Sequence, residues 1–456
     1  MNKIFFSLLI FLTHSVKAQI PNTLSNTEKV YGLSKLWQEA NYNFVYLNKI
    51  DRDKWENDYK SLIGEVQNTE NDYEYYRLLI KFYASLKDGH TDVYYPENVI
   101  NHLSNTHFGE YRLFLTNIEN KAIVTRTNLS KKDEIPIGTE IIKVNGIDTK
   151  SYLEKEVIPY ISSSTDYILM DAAISNMFLS PKGTSYNVTF KLPDGEIKDL
   201  TLTHTETKEK EVYPEFENWQ LFEFKWIDKD IAYVSLNSFM DPKINDLFLE
   251  ELPELYKAKK LIIDLRKNGG GMTNIGRDIF QYLTNDTLLY GSKMQSRLHN
   301  PAFKAWGAVT EEKDTIGNKW ATQQYLSYRD NFYYDFPYEA DTIRLNKKRL
   351  VIPTVILIGH GTASSAEDFL IYASNQSHMI KIGERTFGST GQPMSFDLPG
   401  GGYARVCTKK DTYPNGKEFV GYGILPDIEV KKSFKDYMEN KDPTFEKAIQ
   451  YLNNKK

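Results

Sequence analysis

A serine between an apolar run and a helical run is the first feature with catalytic potential. It lies in residues 361–369, GTASSAEDF; the apolar run 354–358 predicts a buried strand and 366–373 predict a helix. Ser364 would then stand near the positive end of the helix dipole, beside N–H groups that lack partners. A nucleophile that forms an oxyanion needs such surroundings. Because Ser364 and Glu367 also have the spacing of a capping box, helix capping is the alternative.

Three consecutive glycines follow a second apolar run, in residues 261–271, LIIDLRKNGGG. Glycines let backbone N–H groups approach a ligand closely, and we expect Asp264 and Arg266 to brace the turn by pairing. A phosphate-binding loop is disfavoured because no Lys-Ser or Lys-Thr pair follows the glycines. A simple tight turn is the other alternative.

A histidine follows a helix-stop signal in residues 86–91, LKDGHT. Imidazole is the natural base for activating a serine near neutral pH, so His90 is a candidate general base. Taken alone, a histidine in this position is more often a cap or a surface residue.

The elements that would position these residues fall into three stretches. From 25 to about 87, apolar residues recur at three- and four-residue spacing and predict helices. From about 107 to 204 short β runs alternate with turns. From about 226 strands and helices alternate, which predicts an α/β layered domain. The stretch from about 288 to 348 fits that alternation poorly, and we interpret it as an insertion that caps a cleft.

The N-terminal residues predict an export leader. Lys3 precedes the apolar run 4–12, and the β-branched Val16 and the small Ala18 suit cleavage after residue 18. The protein is therefore predicted to be exported, to the periplasm or beyond, with no integral membrane segment after the leader is removed. The net charge of −5, without blocks of like charge, argues against nucleic-acid binding. No cluster of His, Cys, Asp and Glu has metal-ligand spacing, so neither metal nor cofactor is predicted.

Taken together, these motifs resemble those of the C-terminal-processing (tail-specific) and tricorn-type serine peptidases. The matching segments are DGHT at 88–91, DLRKNGGG at 264–271 and TASSAE at 362–367. TFG at 386–388 and GYGILPD at 421–427 extend the resemblance towards the C-terminus.

The resemblance implies a multidomain α/β fold. It implies an N-terminal helical segment (19–100), a PDZ-like β domain (101–205) and a crotonase-like ββα catalytic domain (206–456) with the insertion at about 288–348. In 136–146 a Pro/Gly turn, a strand and an Asn-Gly turn resemble the core of a PDZ domain, which binds a peptide strand at its sheet edge. A generic small β domain is the alternative for this part.

The resemblance also assigns roles to residues. The family nucleophile falls on Ser364, and the oxyanion donors fall on the backbone N–H groups of Ser365 and of Gly269 or Gly270. His90 matches the histidine of the tricorn-like branch, which pairs serine with histidine and a glutamate.

The chain departs from the family pattern at two positions. The processing peptidases have a lysine directly after TFG as the base of a Ser/Lys dyad, but this chain has Ser389. The glutamate of the tricorn-like branch falls on Val420, so Glu418, two residues earlier, is the candidate orienting acid. Another acid or a backbone carbonyl is the alternative partner of His90.

These roles imply an exported serine endopeptidase that acts on protein or peptide substrates, partly through their C-termini. The departures leave a second possibility, a non-catalytic peptide- or lipid-binding protein. Relatives of this fold, such as the retinoid-binding protein of the interphotoreceptor matrix, bind ligands in that way.

Overall fold

The computed structural model describes residues 20–455. The predicted export leader, residues 1–18, lies outside them. Within 20–455, every helix is too short or too polar to cross a membrane.

Three helices form the N-terminal part, as the apolar spacing predicts. Their bounds are α1 Asn26–Asn43, α2 Arg52–Gln67 and α3 Asp72–Ala84. The face of α3 formed by Tyr76, Leu79, Ile80 and Tyr83 is buried. That face packs into a core shared with the α/β part of the chain, so the helices support the α/β layer directly.

The middle of the chain is rich in strands and has its own hydrophobic core. The elements are β1 Asp92–Tyr94, α4 Glu97–Ile100, β2 Leu103–Ser104, β3 His107–Phe108, β4 Tyr111–Ile118, β5 Lys121–Asn128, β6 Glu140–Val144, β7 Ile147–Asp148, α5 Thr149–Tyr152, α6 Asp166–Ser175, β8 Ser180–Pro181, β9 Ser185–Lys191, β10 Ile197–Thr203 and β11 Val212–Tyr213. The main sheet has the order β10-β9-β6-β5-β4-β3. Asn145 and Gly146 both have positive φ and form the predicted two-residue turn between β6 and β7.

The remaining elements alternate strands and helices. They are β12 Phe222–Trp226, β13 Ile231–Leu236, α7 Lys243–Leu255, β14 Lys260–Asp264, α8 Thr273–Phe280, β15 Leu288–Leu289, β16 Lys293–Arg297, α9 Pro301–Gly307, α10 Lys319–Tyr328, β17 Tyr333–Asp335, β18 Asp341–Thr342, β19 Thr354–Ile358, α11 Ser365–Ala373, β20 Met379–Gly383, β21 Pro393–Asp397, β22 Tyr403–Cys407, β23 Lys410–Thr412, β24 Ile428–Glu429, α12 Phe434–Met438 and α13 Pro443–Asn453. The mixed α/β architecture predicted from the sequence is confirmed.

A six-stranded sheet organises this part, in the order β12-β13-β14-β19-β20-β24. All neighbouring pairs are parallel except β12 and β13. The carboxyl ends of β14 and β19 therefore meet at one edge, where open α/β sheets bind ligands. A separate antiparallel sheet, β1-β22-β21, brings the start of β1 beside β22.

The stretch 288–348 is held to the rest of the chain by strand pairing and by ion pairs. Its strand β16 lies between β17 and β23. The nearly buried carboxylate of Asp330 accepts from Arg52 of α2, Arg297 and Lys304. These contacts fix the insertion to the N-terminal helices, while its role as a cap stays a prediction.

Candidate active site

Ser364 stands at the turn between β19 and α11, where the sequence predicts a strand–turn–helix. Its φ of 54° and ψ of −123° are unusual for a residue with a side chain, so the backbone is strained there. Its backbone N–H donates to the Glu367 carboxylate at 3.1 Å, which is one half of the predicted capping box. Ser364 thus begins the helix and is held in a conformation that the surrounding contacts must enforce.

The glycine loop after β14 lies directly against this turn. Gly270 has a φ of 99°, and a Cβ atom placed on it would lie 2.7 Å from the Ser364 Cβ. Asn268 joins the two loops, since its carbonyl accepts from the Ala363 N–H at 3.0 Å. Only glycine fits at position 270, both because of its φ and because of the close approach.

The predicted brace at the base of the glycine loop is present. Arg266 donates to the Asp264 carboxylate, with Nη2 and Oδ2 2.6 Å apart. It also reaches Asp442 at 2.8 Å. The pairing of Asp264 and Arg266 expected from the sequence is confirmed, and it ties the loop to the start of α13.

The three predicted oxyanion donors have different surroundings. The Gly270 N–H donates to the Asn268 side chain at 2.9 Å and is therefore used within the loop. The N–H groups of Gly269 and Ser365 take part in no hydrogen bond among residues 20–455. Two N–H groups next to the Ser364 turn are thus left for an acceptor supplied by a ligand.

His90 lies in the turn between α3 and β1. The carboxylate of Asp88 holds this turn, since it accepts from the His90 backbone N–H at 3.2 Å and from the Thr91 hydroxyl at 2.7 Å. Burial, together with the positive charges of Arg405 and Lys409, lowers the pKa of His90 to about 4. The imidazole is therefore neutral at ordinary pH, as a general base must be.

The ring of His90 contacts Ser389, the residue that stands where the processing peptidases have lysine. The His90 Nδ1 and Ser389 Oγ atoms are 2.6 Å apart, and Ser389 is fully buried. Sequence reasoning treated Ser389 only as an absent lysine and missed this contact. Its position directly after TFG was the available signal.

A buried carboxylate connects the surroundings of Ser364 and His90. Glu367 accepts from the Ser364 N–H, from the Thr386 hydroxyl at 2.5 Å and from the Gly388 N–H at 2.9 Å. Gly388 precedes Ser389, which contacts His90. Burial raises the pKa of Glu367 to about 8, against the effect of these three donors. One side chain therefore fixes both segments relative to each other.

Glu418 has other partners. Its carboxylate binds the ammonium groups of Lys49 at 3.0 Å and Lys410 at 2.5 Å. In the part of the chain that the structure describes, no hydrogen bond or ion pair joins Glu418 to His90. The orienting role predicted for Glu418 stays a prediction without a supporting contact.

Residues 230–430 match the profile of peptidase family S41. The chain is similar to carboxyl-terminal-processing proteases from Picosynechococcus sp. (21% identity over 292 residues, 63% of this chain and 55% of the relative) and Synechocystis sp. (22% identity over 447 residues, 95% and 88%). The match thus spans about half the length of the first relative.

The fold is also similar to a solved structure, mature CPAF complexed with lactacystin. The TM-score is 0.67 at 14% sequence identity, over 94% of this chain and 99% of that chain. This likeness concerns the arrangement of the elements across most of the chain.

Proposed function

We propose that the chain is a serine endopeptidase with Ser364 as nucleophile and His90 as general base, and the match of residues 230–430 to peptidase family S41 supports this proposal. One observation carries the proposal. Ser364 stands at a strained strand-to-helix turn, packed against a glycine loop, with the free N–H groups of Gly269 and Ser365 beside it.

The proposed chemistry is acyl transfer. The Ser364 Oγ attacks a peptide carbonyl carbon while His90 takes the hydroxyl proton, and the N–H groups of Ser365 and of the Gly269–Gly270 turn stabilise the oxyanion. His90 then gives its proton to the leaving amine as the C–N bond breaks. Water attacks the acyl-enzyme by the reverse proton path and releases the acid. Of the two glycines, Gly269 is the better donor because the Gly270 N–H is already bonded to Asn268.

The region 101–205 supports a role in holding the substrate. We propose that it is PDZ-like and that it receives a peptide tail as an added strand. The outer edge of β4 supports this. There β3 pairs with Tyr111 and Arg112, and the Leu113 N–H donates to the Thr106 carbonyl, but residues 114–118 have no strand partner on that edge within 20–455. The names of the relatives, carboxyl-terminal-processing proteases, favour cleavage near C-termini.

Export and the finer fold assignment belong to the same proposal. The leader predicted at 1–18 would direct the protein to the periplasm or beyond the cell. The parallel strands β13, β14, β19 and β20 with the helices between them support a crotonase-like ββα catalytic domain.

A serine-directed fluorophosphonate tests the proposal. The wild-type protein should be labelled on Ser364, and Ser364→Ala should abolish the label. His90→Ala should slow labelling by about 10²- to 10⁴-fold, the usual contribution of a general base. Ser395→Ala, which removes an exposed hydroxyl on β21, serves as the matched serine control.

The same experiment distinguishes an enzyme from a binding protein. A wild-type protein that stays unlabelled while an established serine peptidase is labelled would indicate a non-catalytic peptide or lipid binder. A label that persists in Ser364→Ala would assign the nucleophile to another residue.

A further inference from the structure

The imidazole of His90 has a serine hydroxyl against its Nδ1 atom, where a serine-peptidase histidine usually has a carboxylate. The Ser389 Oγ lies 2.6 Å away. We infer that Ser389 is the positioning residue of the proposed Ser364–His90 pair, holding the ring by its Nδ1 side so that Nε2 is free to take the Ser364 proton. This inference rests on the proposed function.

Four acidic side chains on segments around His90 have hydrogen-bond or ion-pair partners other than its ring. The Asp88 carboxylate accepts from Thr91, from Ser164 and from the backbone of His90, but not from its ring. Asp411 pairs with Lys409 at 3.1 Å and accepts from Thr390.

The other two acids are similarly engaged. Asp92 accepts from the adjacent Val93 N–H, and Glu418 is held by Lys49 and Lys410. With Arg405 and Lys409 as the nearby cations, Ser389 is the partner that the structure gives the imidazole ring.

The position of the Ser389 hydroxyl is fixed from two sides. The Gly388 N–H donates to the buried Glu367 carboxylate, which also accepts from the Ser364 N–H. On the other side, a Cβ atom on Gly89 would lie 3.2 Å from the Ser389 Oγ and 2.9 Å from the Phe387 ring. The His90 turn therefore packs directly onto this segment, and the distance from nucleophile to positioning group is set by rigid contacts.

The proton balance requires one tautomer. For Nε2 to accept the Ser364 proton, Nδ1 must carry the hydrogen and donate it to the Ser389 Oγ. When Nε2 is protonated, the resulting imidazolium faces a neutral hydroxyl and two cations, Arg405 and Lys409, rather than an anion. The base is therefore weaker than in a serine–histidine–carboxylate triad, and it stays unprotonated down to about pH 4.

Replacements of Ser389 test the inference, with fluorophosphonate labelling rate and its pH profile as readouts. The acid limb of the wild-type profile should lie near pH 4, where His90 gains its proton. Ser389→Ala should label about 10- to 100-fold more slowly, a part of the general-base contribution. Ser389→Thr, which keeps the hydroxyl, should recover most of the rate.

Ser389→Asp separates a positioning role from a purely structural one. A carboxylate against Nδ1 stabilises the imidazolium, so the acid limb should move to higher pH by about one to three units. The exposed Ser395→Ala variant should keep both the wild-type rate and the wild-type limb.

The outcomes distinguish this inference from the proposed function. An unlabelled wild type contradicts the proposed function itself. A labelled wild type whose Ala and Thr variants at position 389 share its rate and its acid limb overturns only the role of Ser389. If the Asp variant does not fold, the comparison of Ala with Thr still decides the question, because the two differ in the hydroxyl.

Discussion

Two neighbouring glycines meet very different surroundings, although the sequence presents them alike. A Cβ atom on Gly269 would meet nothing within 4 Å. One on Gly270 would lie 2.7 Å from the Ser364 Cβ and 2.8 Å from the Ala363 carbonyl oxygen, at a φ of 99°. Of these two glycines, only Gly270 is required for the close packing of the nucleophile turn.

Alanine at these two positions makes a matched pair. Gly270→Ala should lower kcat/KM by at least about 100-fold, since the added methyl displaces Ser364 by fractions of an ångström or more. Gly269→Ala keeps the backbone N–H and adds a methyl in open space, so its loss should be at least 10-fold smaller. Peptidase kinetics, with circular dichroism to verify folding, measure both. Equal losses would show that the contact between Gly270 and Ser364 is unimportant.

Local features of this site could be predicted from the sequence, whereas its long-range contacts could not. The turn at Ser364 and the brace in the glycine loop depend on neighbours in the chain, which spacing reveals. The partner of His90 lies 299 residues away, and Lys49 lies 369 residues from Glu418. Such pairs are set by how the sheets pack. The position of Glu418, two residues before that of the family glutamate, therefore could not reveal that it contacts lysines.

At the scale of elements, Glu367 joins helix α11 to the segment that leads from β20 to β21. Its fully buried carboxylate receives three hydrogen bonds, from Ser364, Thr386 and Gly388. The Thr386 hydroxyl also accepts from the Ile424 N–H at 2.7 Å. The Glu367 side chain thus holds the strand–helix turn and two loops together. It forms no ion pair with a cationic group of residues 20–455.

Glu367→Gln should change how stability depends on pH. Burial raises the folded-state pKa of Glu367 to about 8, from about 4.5 in the unfolded chain. The folded state then binds the proton more strongly, so the wild type loses stability as pH rises from about 4.5 to 8. The amide cannot ionise and should avoid that loss. In thermal unfolding, the Tm of the variant minus the Tm of the wild type should increase by several degrees between pH 5 and pH 8. Parallel curves would mean that the carboxyl is not buried as described.

At the scale of the whole molecule, helix α6 and the residues just before it contact three segments of the candidate site. The Ser164 hydroxyl accepts from Gly89 in the His90 turn. Tyr167 donates to the Thr386 carbonyl at 2.6 Å. Asp171 pairs with His360, four residues before Ser364, with Oδ2 and Nδ1 2.5 Å apart. The strand-rich region proposed to hold a peptide is therefore joined directly to the residues proposed to cleave it.

The contact between Asp171 and His360 should make this junction sensitive to pH. Burial lowers the pKa of His360, but the hydrogen bond and charge of Asp171, with Glu384 4.0 Å away, outweigh it and raise the pKa above its usual 6.5, against a small opposing effect of Lys431. A histidine pKa that is raised on folding stabilises the junction fully below pH 6.5, and the effect is lost as pH rises through the folded-state value.

Hydrogen exchange of α6, compared between wild type and Asp171→Asn, measures that stabilisation. The pair is partly exposed, so we expect about two- to fivefold greater protection in the wild type at pH 6, shrinking towards pH 8.5. Asp171 also accepts from the Asn117 side chain at 2.7 Å, and the loss of that bond should add a difference that is constant with pH. Glu384→Gln is the control, since its carboxylate is farther from the ring and should give a smaller change of the same sign. If the ratio of α6 protection in the wild type to that in Asp171→Asn does not vary with pH, His360 does not titrate at the junction. Only contacts that do not depend on pH would then hold α6 to the nucleophile turn.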